Sequence, residues 1–335
     1  MSRKRSPTPI VVPVHEPQSG GELKEKILRG LSAAVLVGAL ACYAQLAGQA
    51  KKEVVDLRPV RNVALYTIVF LGVQWAVQTL TAPLGQSLIT RKAGWSREVW
   101  RAKVDRFGAA VYKLAINVSG LVVGYYLMKG KDWLPSSLGG SGETKNLWKN
   151  LGRAEEERVV DFYLSCIGFV ISDILTHVVW ERKRPDFAEL TLHLLVSFAF
   201  LTVAFMSDLI RVGLLVIFVH LVCDVFVYTA KAIVDTKLSG GAAAYLPLLF
   251  VHGYFRLYVF SKILRTVVVE AAHVLPKTWA PWGFLSVTLG LSLLMQAFWG
   301  FVIVKIGLLL LATGQSRDLQ ANLSAMDLRR KAKKH

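Results

Sequence analysis

The stretch Ala188–Ala230, AELTLHLLVSFAFLTVAFMSDLIRVGLLVIFVHLVCDVFVYTA, decides the fold. It contains two apolar runs of helix length, Ala188–Met206 and Leu209–Ala230, joined by a very short turn near Ser207-Asp208. An apolar run of about 20 residues is long enough to cross a bilayer as a helix. The stretch therefore predicts a tight transmembrane hairpin.

The rest of the 335-residue chain is of the same kind, since 53% of its residues are hydrophobic and its mean hydropathy is +0.44. That is too apolar for a typical soluble domain. The other candidate spans are Ile27–Ala47, Val63–Pro83, Phe107–Met128, Val159–Trp180, Tyr245–Ala272 and Gly283–Leu311. We predict an all-α polytopic membrane protein with a six-helix bundle and about two N-terminal helices.

Composition divides the chain into four parts. Residues 1–22 are rich in proline and charge, and they predict a disordered cytosolic tail. Residues 23–106 hold two N-terminal helices and a basic interfacial stretch, residues 107–312 the six-span bundle, and residues 313–335 a basic cytosolic tail. Within the bundle, the long Lys129–Arg158 loop is expected to cover the far side.

The formal net charge is +17, and most Lys and Arg residues fall in pieces that are cytosolic if the amino terminus and carboxy terminus both face the cytosol. The positive-inside rule supports that orientation. Basic residues at a membrane surface account for the charge, so nucleic-acid binding need not be invoked. Lys331 and Lys333 resemble a cytosolic dilysine signal for the endoplasmic reticulum, and an ordinary basic tail is the alternative.

Three ionisable residues lie inside the hairpin: His193, His220 and Asp224. A charge at membrane depth costs a few kcal/mol even on lenient scales, so such residues usually face a cavity or one another. Both histidines lie about thirteen residues from the turn, roughly 20 Å at 1.5 Å per residue, and hence at one depth. Asp224 follows His220 by one helical turn, where a carboxylate can fix the tautomer of an imidazole.

Other interpretations of these groups stay open. A single membrane histidine is often only hydrogen-bonded to a neighbouring helix. Two His and one Asp could ligate a metal, but no further ligand is evident, and the three cysteines lack metal-ligand spacing. The pairs Asp173/His177 and His252/Arg256 could share the cavity or form interhelical bonds. We interpret Arg211, near a helix end, as structural.

The pattern resembles the ceramide synthase family, the longevity-assurance branch of the TLC-domain proteins, from Arg101 to about Leu319. The most specific matches are Asp186-Phe187-x-Glu189-x-x-x-His193, Arg211-x-Gly213, His220 with Asp224, and Ala230-Lys231. Supporting matches are Phe162-Tyr163, Arg256-Leu257-x-x-Phe260 and Gln296-Ala297-Phe298-Trp299.

The resemblance implies a TLC-type bundle in the endoplasmic reticulum membrane that joins a fatty acyl-CoA to the amine of a sphingoid base. It implies no cofactor beyond acyl-CoA as co-substrate, and a homo- or heterodimer with a ceramide synthase paralogue would fit. His193 would be the acyl acceptor or base, and His220 with Asp224 its proton-handling partner. The candidate substrate-binding residues are Asp173, His177, His252, Arg256 and Trp299.

Two departures lie at the centre of the motif. Leu194 stands where the family has a second histidine, and Leu221 where it has an aspartate. Smaller ones are Ser261, where proline is usual, and Ala297, where histidine is common. These substitutions keep two other functions open: an inert paralogue that binds lipid or regulates an active ceramide synthase, and another TLC-domain role such as a translocon-associated or lipid-sensing protein.

Overall fold

The computed structural model describes residues 20–49, 57–91, 95–149, 155–182, 184, 186–238, 241–276 and 278–313. Within these ranges the chain is helical and contains no β-strand. The helices are α1 (Gly20–Gln49), α2 (Arg58–Leu88), α3 (Arg97–Met128), α4 (Glu157–Trp180), α5 (Phe187–Met206), α6 (Ile210–Ile233), α7 (Gly241–Val251), α8 (Phe260–Arg265) and α9 (Ala280–Thr313). The all-α prediction is confirmed.

Seven of these helices, α1 to α6 and α9, are long and apolar enough to cross a membrane. They confirm the prediction of a polytopic membrane protein. The eighth predicted span, Tyr245–Ala272, is helical throughout but consists of α-, π- and 3₁₀-helical parts. The π-helix His252–Val259 lies between α7 and α8, and a π-turn and a 3₁₀ turn follow α8 as far as His273. We call residues 241–273 the composite helix.

The predicted hairpin is confirmed. Helix α5 ends at Met206 and α6 begins at Ile210, and Asp208 between them has φ = 57°. Left-handed backbone suits a short polar residue such as aspartate. The amide of Leu209 donates to the carbonyl of Ala204, which closes the turn.

The motif residues Arg211 and Gly213 hold the start of α6. Arg211 pairs with Glu155 (Nε–Oε1 2.5 Å) and donates to the carbonyl of Lys149 (2.9 Å), as expected for a structural arginine. Gly213 lies under Tyr163, where an added Cβ would come within 2.2 Å of the phenol oxygen. That oxygen donates to the carbonyl of Leu201 on α5, so the contact also joins α4 to the hairpin.

The described residues 129–149 of the Lys129–Arg158 loop pack as a cap over the end of the bundle where α3 ends and α4 begins. They contain two 3₁₀ turns, and Trp133, Leu134 and Trp148 among them are buried. Gly142 is required there because a Cβ would lie 2.2 Å from the carbonyl oxygen of Asp132.

The N-terminal helices contact the helices of the bundle. Helix α1 packs against α5 and α9, and α2 packs against both α3 and α4. The approach of α2 depends on glycines, since a Cβ on Gly168 would lie 2.7 Å from Cβ of Tyr66, and one on Gly108 would lie 3.2 Å from Cα of Gln78. From Arg97 onward, the basic stretch 91–106 forms the first turns of α3.

Two sequence predictions fall mainly outside the described residues. The disordered tail 1–22 overlaps them only at the start of α1, and the basic tail 313–335 with its dilysine-like pair overlaps them only at Thr313.

Replacing Gly168 by alanine is expected to lower the stability of the folded bundle. The new methyl group would collide with α2, and overpacking of this kind costs about 1–3 kcal/mol. For a protein of this size each kcal/mol lowers Tm by about 2–4 °C. Thermal unfolding in detergent would measure the change.

The matched control is Gly72→Ala on α2, where an added Cβ meets no atom within 4 Å. Its Tm should stay the same or rise slightly, because alanine is the better helix former. Equal Tm values for the two variants would contradict the close α2–α4 contact.

Candidate functional site

A cavity of about 840 Å³ lies inside the bundle, between α2, α3, α4, α5, α6 and α9. Charged side chains line it near the start of α3 and the end of α4: Asp105, Arg106, Glu181 and Arg184. Trp75 and Trp180 also line the cavity although each is mostly exposed, so they belong to its rim. Toward the capped end the lining is mainly apolar, with Phe200, Leu201, Val216 and Ile217. The cavity thus changes from charged to apolar along its length.

His193 and His220 meet in this cavity from opposite arms of the hairpin. Their ring centroids are 6.1 Å apart and the ring planes differ by 14°. Trp299 of α9 holds His193 from the side, with its ring edge-on at 4.9 Å. The predicted meeting of the two imidazoles at one depth is therefore present in the structure.

The two histidines differ in how they are held. Nδ1 of His220 donates to the carbonyl of Val216 at 2.8 Å, and since a carbonyl only accepts, Nδ1 carries the proton. In the neutral ring Nε2 then accepts from the amide of Gln296 at 3.4 Å. Nδ1 of His193, by contrast, is buried and has no hydrogen-bond partner among the described residues. His220 is fixed by hydrogen bonds, whereas His193 is held by ring packing.

The expected contact between the Asp224 carboxylate and the His220 ring is not formed. The carboxylate pairs with Arg256 of the composite helix, with 2.5 Å between Oδ1 and Nη2. A helical side chain leans toward the N-terminus, so the His220 ring reaches back to Val216 and away from Asp224. The same guanidinium lies 3.5 Å from the carbonyl oxygen of His220. Arg256 therefore links the carboxylate to the backbone of His220.

Asp173 and His177 are also separated. His177 lies between α4 and α5, with Nδ1 3.2 Å from Oε2 of Glu181, Nε2 3.0 Å from Oγ1 of Thr191, and its ring stacked on Phe187. Burial raises the pKa of Glu181, but the hydrogen bond with His177 and the charge of Arg184 lower it to about 2. These contacts make His177 a structural tie, although it borders the cavity.

His252 likewise joins helices. Its Nε2 lies 3.0 Å from the carbonyl oxygen of Gln296 on α9, and its Nδ1 lies 3.8 Å from Sγ of Cys223 on α6. His252, Arg256 and Trp299 do not line the main cavity, whereas Asp173 and His177 do. Arg256 and Trp299 contact the lining side chains Asp224 and His193 from behind. His252 is one step further away, because its partner Gln296 is the residue that contacts His220.

Sequence reasoning missed Lys113 and Gln296. Lys113 lies within the apolar run of α3, lines the cavity and pairs with Asp173 (Nζ–Oδ2 2.7 Å). A lysine inside a predicted span is itself a signal for a functional cavity. Gln296 is buried on α9 and contacts both His220 and His252, and only the packed structure reveals this.

The two motif departures face the same cavity. Leu194 and Leu221 both line it. Leu221 packs against α3 at Gly120, where an added Cβ would lie 3.2 Å from the leucine side chain. Each leucine places hydrocarbon at a position where the family that the sequence resembles has an ionisable group. Among the described residues, no group of three or more His, Cys, Asp or Glu side chains could hold a metal ion.

These features define a multi-pass membrane protein with an internal cavity that has a charged end and an apolar end. The TLC domain family (TRAM_LAG1_CLN8) matches residues 106–305, well over half of the chain. The chain belongs to this family.

Its relatives include ceramide synthases. ASC1-like protein 3 of Oryza sativa subsp. japonica is 27% identical over 168 residues, 50% of this chain and 57% of that protein. Ceramide synthase LOH2 of Arabidopsis thaliana is 26% identical over 136 residues, 40% and 46% of the two chains. Ceramide synthase 4 of Homo sapiens is 30% identical over 112 residues, 33% and 28%. The matches support the ceramide synthase resemblance, and the chain spans about half the length of the first relatives it matches.

Replacing Asp224 by asparagine is expected to destabilise the protein strongly. The change leaves the Arg256 guanidinium buried without its counter-charge, which typically costs about 3–5 kcal/mol. For a chain of this size that corresponds to a Tm lower by roughly 10 °C. Thermal unfolding of the purified protein in detergent would measure it.

Two comparisons isolate the cause. Glu25→Gln, which breaks the exposed Glu25–Arg29 pair, should change Tm very little, because exposed pairs contribute about 0–1 kcal/mol. The double variant Asp224→Leu with Arg256→Met should recover most of the loss, since an apolar pair replaces the ion pair. An Asp224→Asn protein as stable as the wild type would rule out the buried pair.

Proposed function

We propose that the protein is a ceramide-synthase-like N-acyltransferase, which transfers the acyl group of a fatty acyl-CoA to the amine of a sphingoid base. The observation that carries the proposal is the pair of imidazoles, 6.1 Å apart, inside a cavity with one charged and one apolar end. The family and the ceramide synthases among its relatives support the same reaction class.

The shape of the cavity suits two amphiphilic substrates. Leu201 lies two helical turns beyond His193 toward the capped end, about 12 Å at 1.5 Å per residue. This apolar end can hold hydrocarbon, while Arg106 and Arg184 at the charged end can face the phosphates of a nucleotide-bearing thioester. The thioester carbonyl would then lie near the histidines.

His193 is the proposed acyl acceptor or base. As a base, it takes the proton from the amine while the nitrogen attacks the thioester carbonyl and the C–S bond breaks; the proton then passes to the departing thiolate. As an acceptor, its lone pair attacks the carbonyl first and the C–S bond breaks, which releases the thiolate. The amine then displaces the imidazole from the acyl group, and the proton that the amine loses passes to the thiolate. His220 is the proposed proton-handling partner. Asp224 acts on it through Arg256 and is thus a positioning residue.

A second function is favoured by Leu194 and Leu221. With two cavity positions occupied by hydrocarbon, the protein would bind lipid and act as an inert regulatory partner of an active ceramide synthase. It would then co-purify with a paralogue that carries the complete motif, as a heterodimer.

The proposed location is the endoplasmic reticulum membrane, with the carboxy terminus and the charged end of the cavity in the cytosol. Basic residues at this end support the orientation, because cytosolic loops are enriched in Lys and Arg. Arg106 and Arg184 both lie there.

Purified protein supplied with a fatty acyl-CoA and sphinganine is expected to yield ceramide, and His193→Ala should lower the rate about 100- to 10,000-fold. Loss of a general acid–base group has an effect of that size. Mass spectrometry of the lipid product would measure the rate.

The matched control is His273→Ala, since His273 is exposed at the end of the composite helix. It should retain wild-type activity. Ceramide formation that is unchanged in His193→Ala would remove the proposed role of this histidine.

Restoring the two ionisable groups, Leu194→His with Leu221→Asp, is expected to raise ceramide formation. Both side chains would enter the cavity beside His193 and His220 and add acid–base capacity, which is typically worth about 100-fold or more per group. The same product assay, with Tm as a check on folding, would measure the gain.

The control for this variant is Leu195→His, which adds an imidazole on α5 at a position that does not line the cavity. A folded double variant with no more activity than the wild type would contradict the catalytic significance of the two leucines. Activity that appears only in the double variant would favour the inert partner.

A further inference from the structure

The Lys113–Asp173 ion pair is a second group of charges inside the cavity, apart from the histidines. Lys113 lies in the middle of α3, and its Nζ is 2.7 Å from Oδ2 of Asp173 on α4. The lysine and aspartate side chains are 22% and 11% exposed, and both line the cavity. A lysine at this depth is costly to bury, so its presence requires an explanation.

A purely structural tie between α3 and α4 explains the pair poorly. Two apolar side chains of similar volume often stabilise a buried site as well as an ion pair does. The pair is also incompletely satisfied, because Oδ1 of Asp173 is buried without a hydrogen-bond partner among the described residues. Buried acceptors of this kind are rare in native structures and suggest a missing partner.

The chemistry of the missing partner follows from the atoms that surround it. Oδ1 of Asp173 is an acceptor and needs an N–H or O–H donor. The Lys113 ammonium has three donors, of which one is directed at Asp173, and its Nζ lies 5.5 Å from the ring of Tyr228. The pair can therefore accept from an ammonium or hydroxyl group and donate to a hydroxyl oxygen. A long-chain amine with a neighbouring hydroxyl has this combination.

We propose that Lys113 and Asp173 form the docking point for the polar end of the long-chain amino alcohol that accepts the acyl group. The inference rests on the proposed function and specifies its amine side. Lys113, Asp173 and His193 all line the same cavity, so an amine held by the pair shares that space with the imidazole that is the proposed base. Asp173 accepts from the ammonium group of the substrate, while Lys113 positions the carboxylate and donates to the hydroxyl oxygen of the substrate.

The experiment measures equilibrium binding to the full-length protein in lipid nanodiscs. The probes are radiolabelled sphinganine, a C18 amino diol, and stearoyl-CoA, which lacks an amine on its chain. The variants are Asp173→Asn and the apolar pair Lys113→Met with Asp173→Leu. Both should bind sphinganine about 10- to 100-fold more weakly, the usual effect of losing a hydrogen bond to a charged group, and should bind stearoyl-CoA like the wild type.

The matched control is the other buried lysine pair of α3, Lys103–Asp235, with Nζ 2.7 Å from Oδ1. It joins α3 to the chain just beyond α6 and does not line the cavity. Lys103→Met with Asp235→Leu should bind sphinganine like the wild type. Wild-type sphinganine binding in the Lys113/Asp173 apolar variant would overturn the inference. An equal loss of both probes would overturn it too, since that result marks a structural tie.

Binding and turnover separate this inference from the proposed function. A wild-type protein that binds sphinganine through Asp173 but forms no ceramide would refute the acyltransferase and leave the docking site standing. A protein that forms ceramide with unchanged sphinganine affinity in the Asp173 variants would refute the docking site alone.

Discussion

The ion pair between Asp224 and Arg256 constrains the centre of the bundle. It joins α6 to the π-helical part of the composite helix, and the same guanidinium reaches the backbone of His220. In an apolar interior a lone charge is expensive, so each partner fixes the position of the other. The helix that carries His220 is thereby held in place, and the cavity takes its shape around it.

Inside the bundle, some polar side-chain atoms have hydrogen-bond partners and others have none among the described residues. His220, His177 and His252 each contact neighbouring helices through their ring nitrogens. His193 and Asp173 each retain a buried polar atom without a partner among the described residues. The available atoms lie on α5 and α4, and both residues border the same space. The unpartnered atoms of His193 and Asp173 fit the roles proposed for these two residues in contacting a ligand.

Much of this arrangement could be predicted from residue spacing. The distances of His193 and His220 from the turn placed them at one depth because a helix has a fixed rise per residue. The partner of Asp224 could not be predicted in this way, because a neighbour within the same helix and a cation from a distant helix compete for one carboxylate. Lys113 could have been predicted, because an ionisable residue inside an apolar span indicates a cavity, as it did for the hairpin. The packing of α2 into the cavity wall could not be predicted, since it depends on Gly108 of α3 and Gly168 of α4.

Helix α2 has a consequence for how such a protein can diversify. It supplies Leu71, Gln74, Trp75 and Gln78 to the cavity wall, although it lies before the region that matches the family. Exchange of this one helix would remodel the compartment without altering any side chain proposed to take part in chemistry. Different substrates could thus be accommodated through changes in α2 alone. Substrate selection would then evolve on this helix, while the reactive side chains on the other helices are preserved.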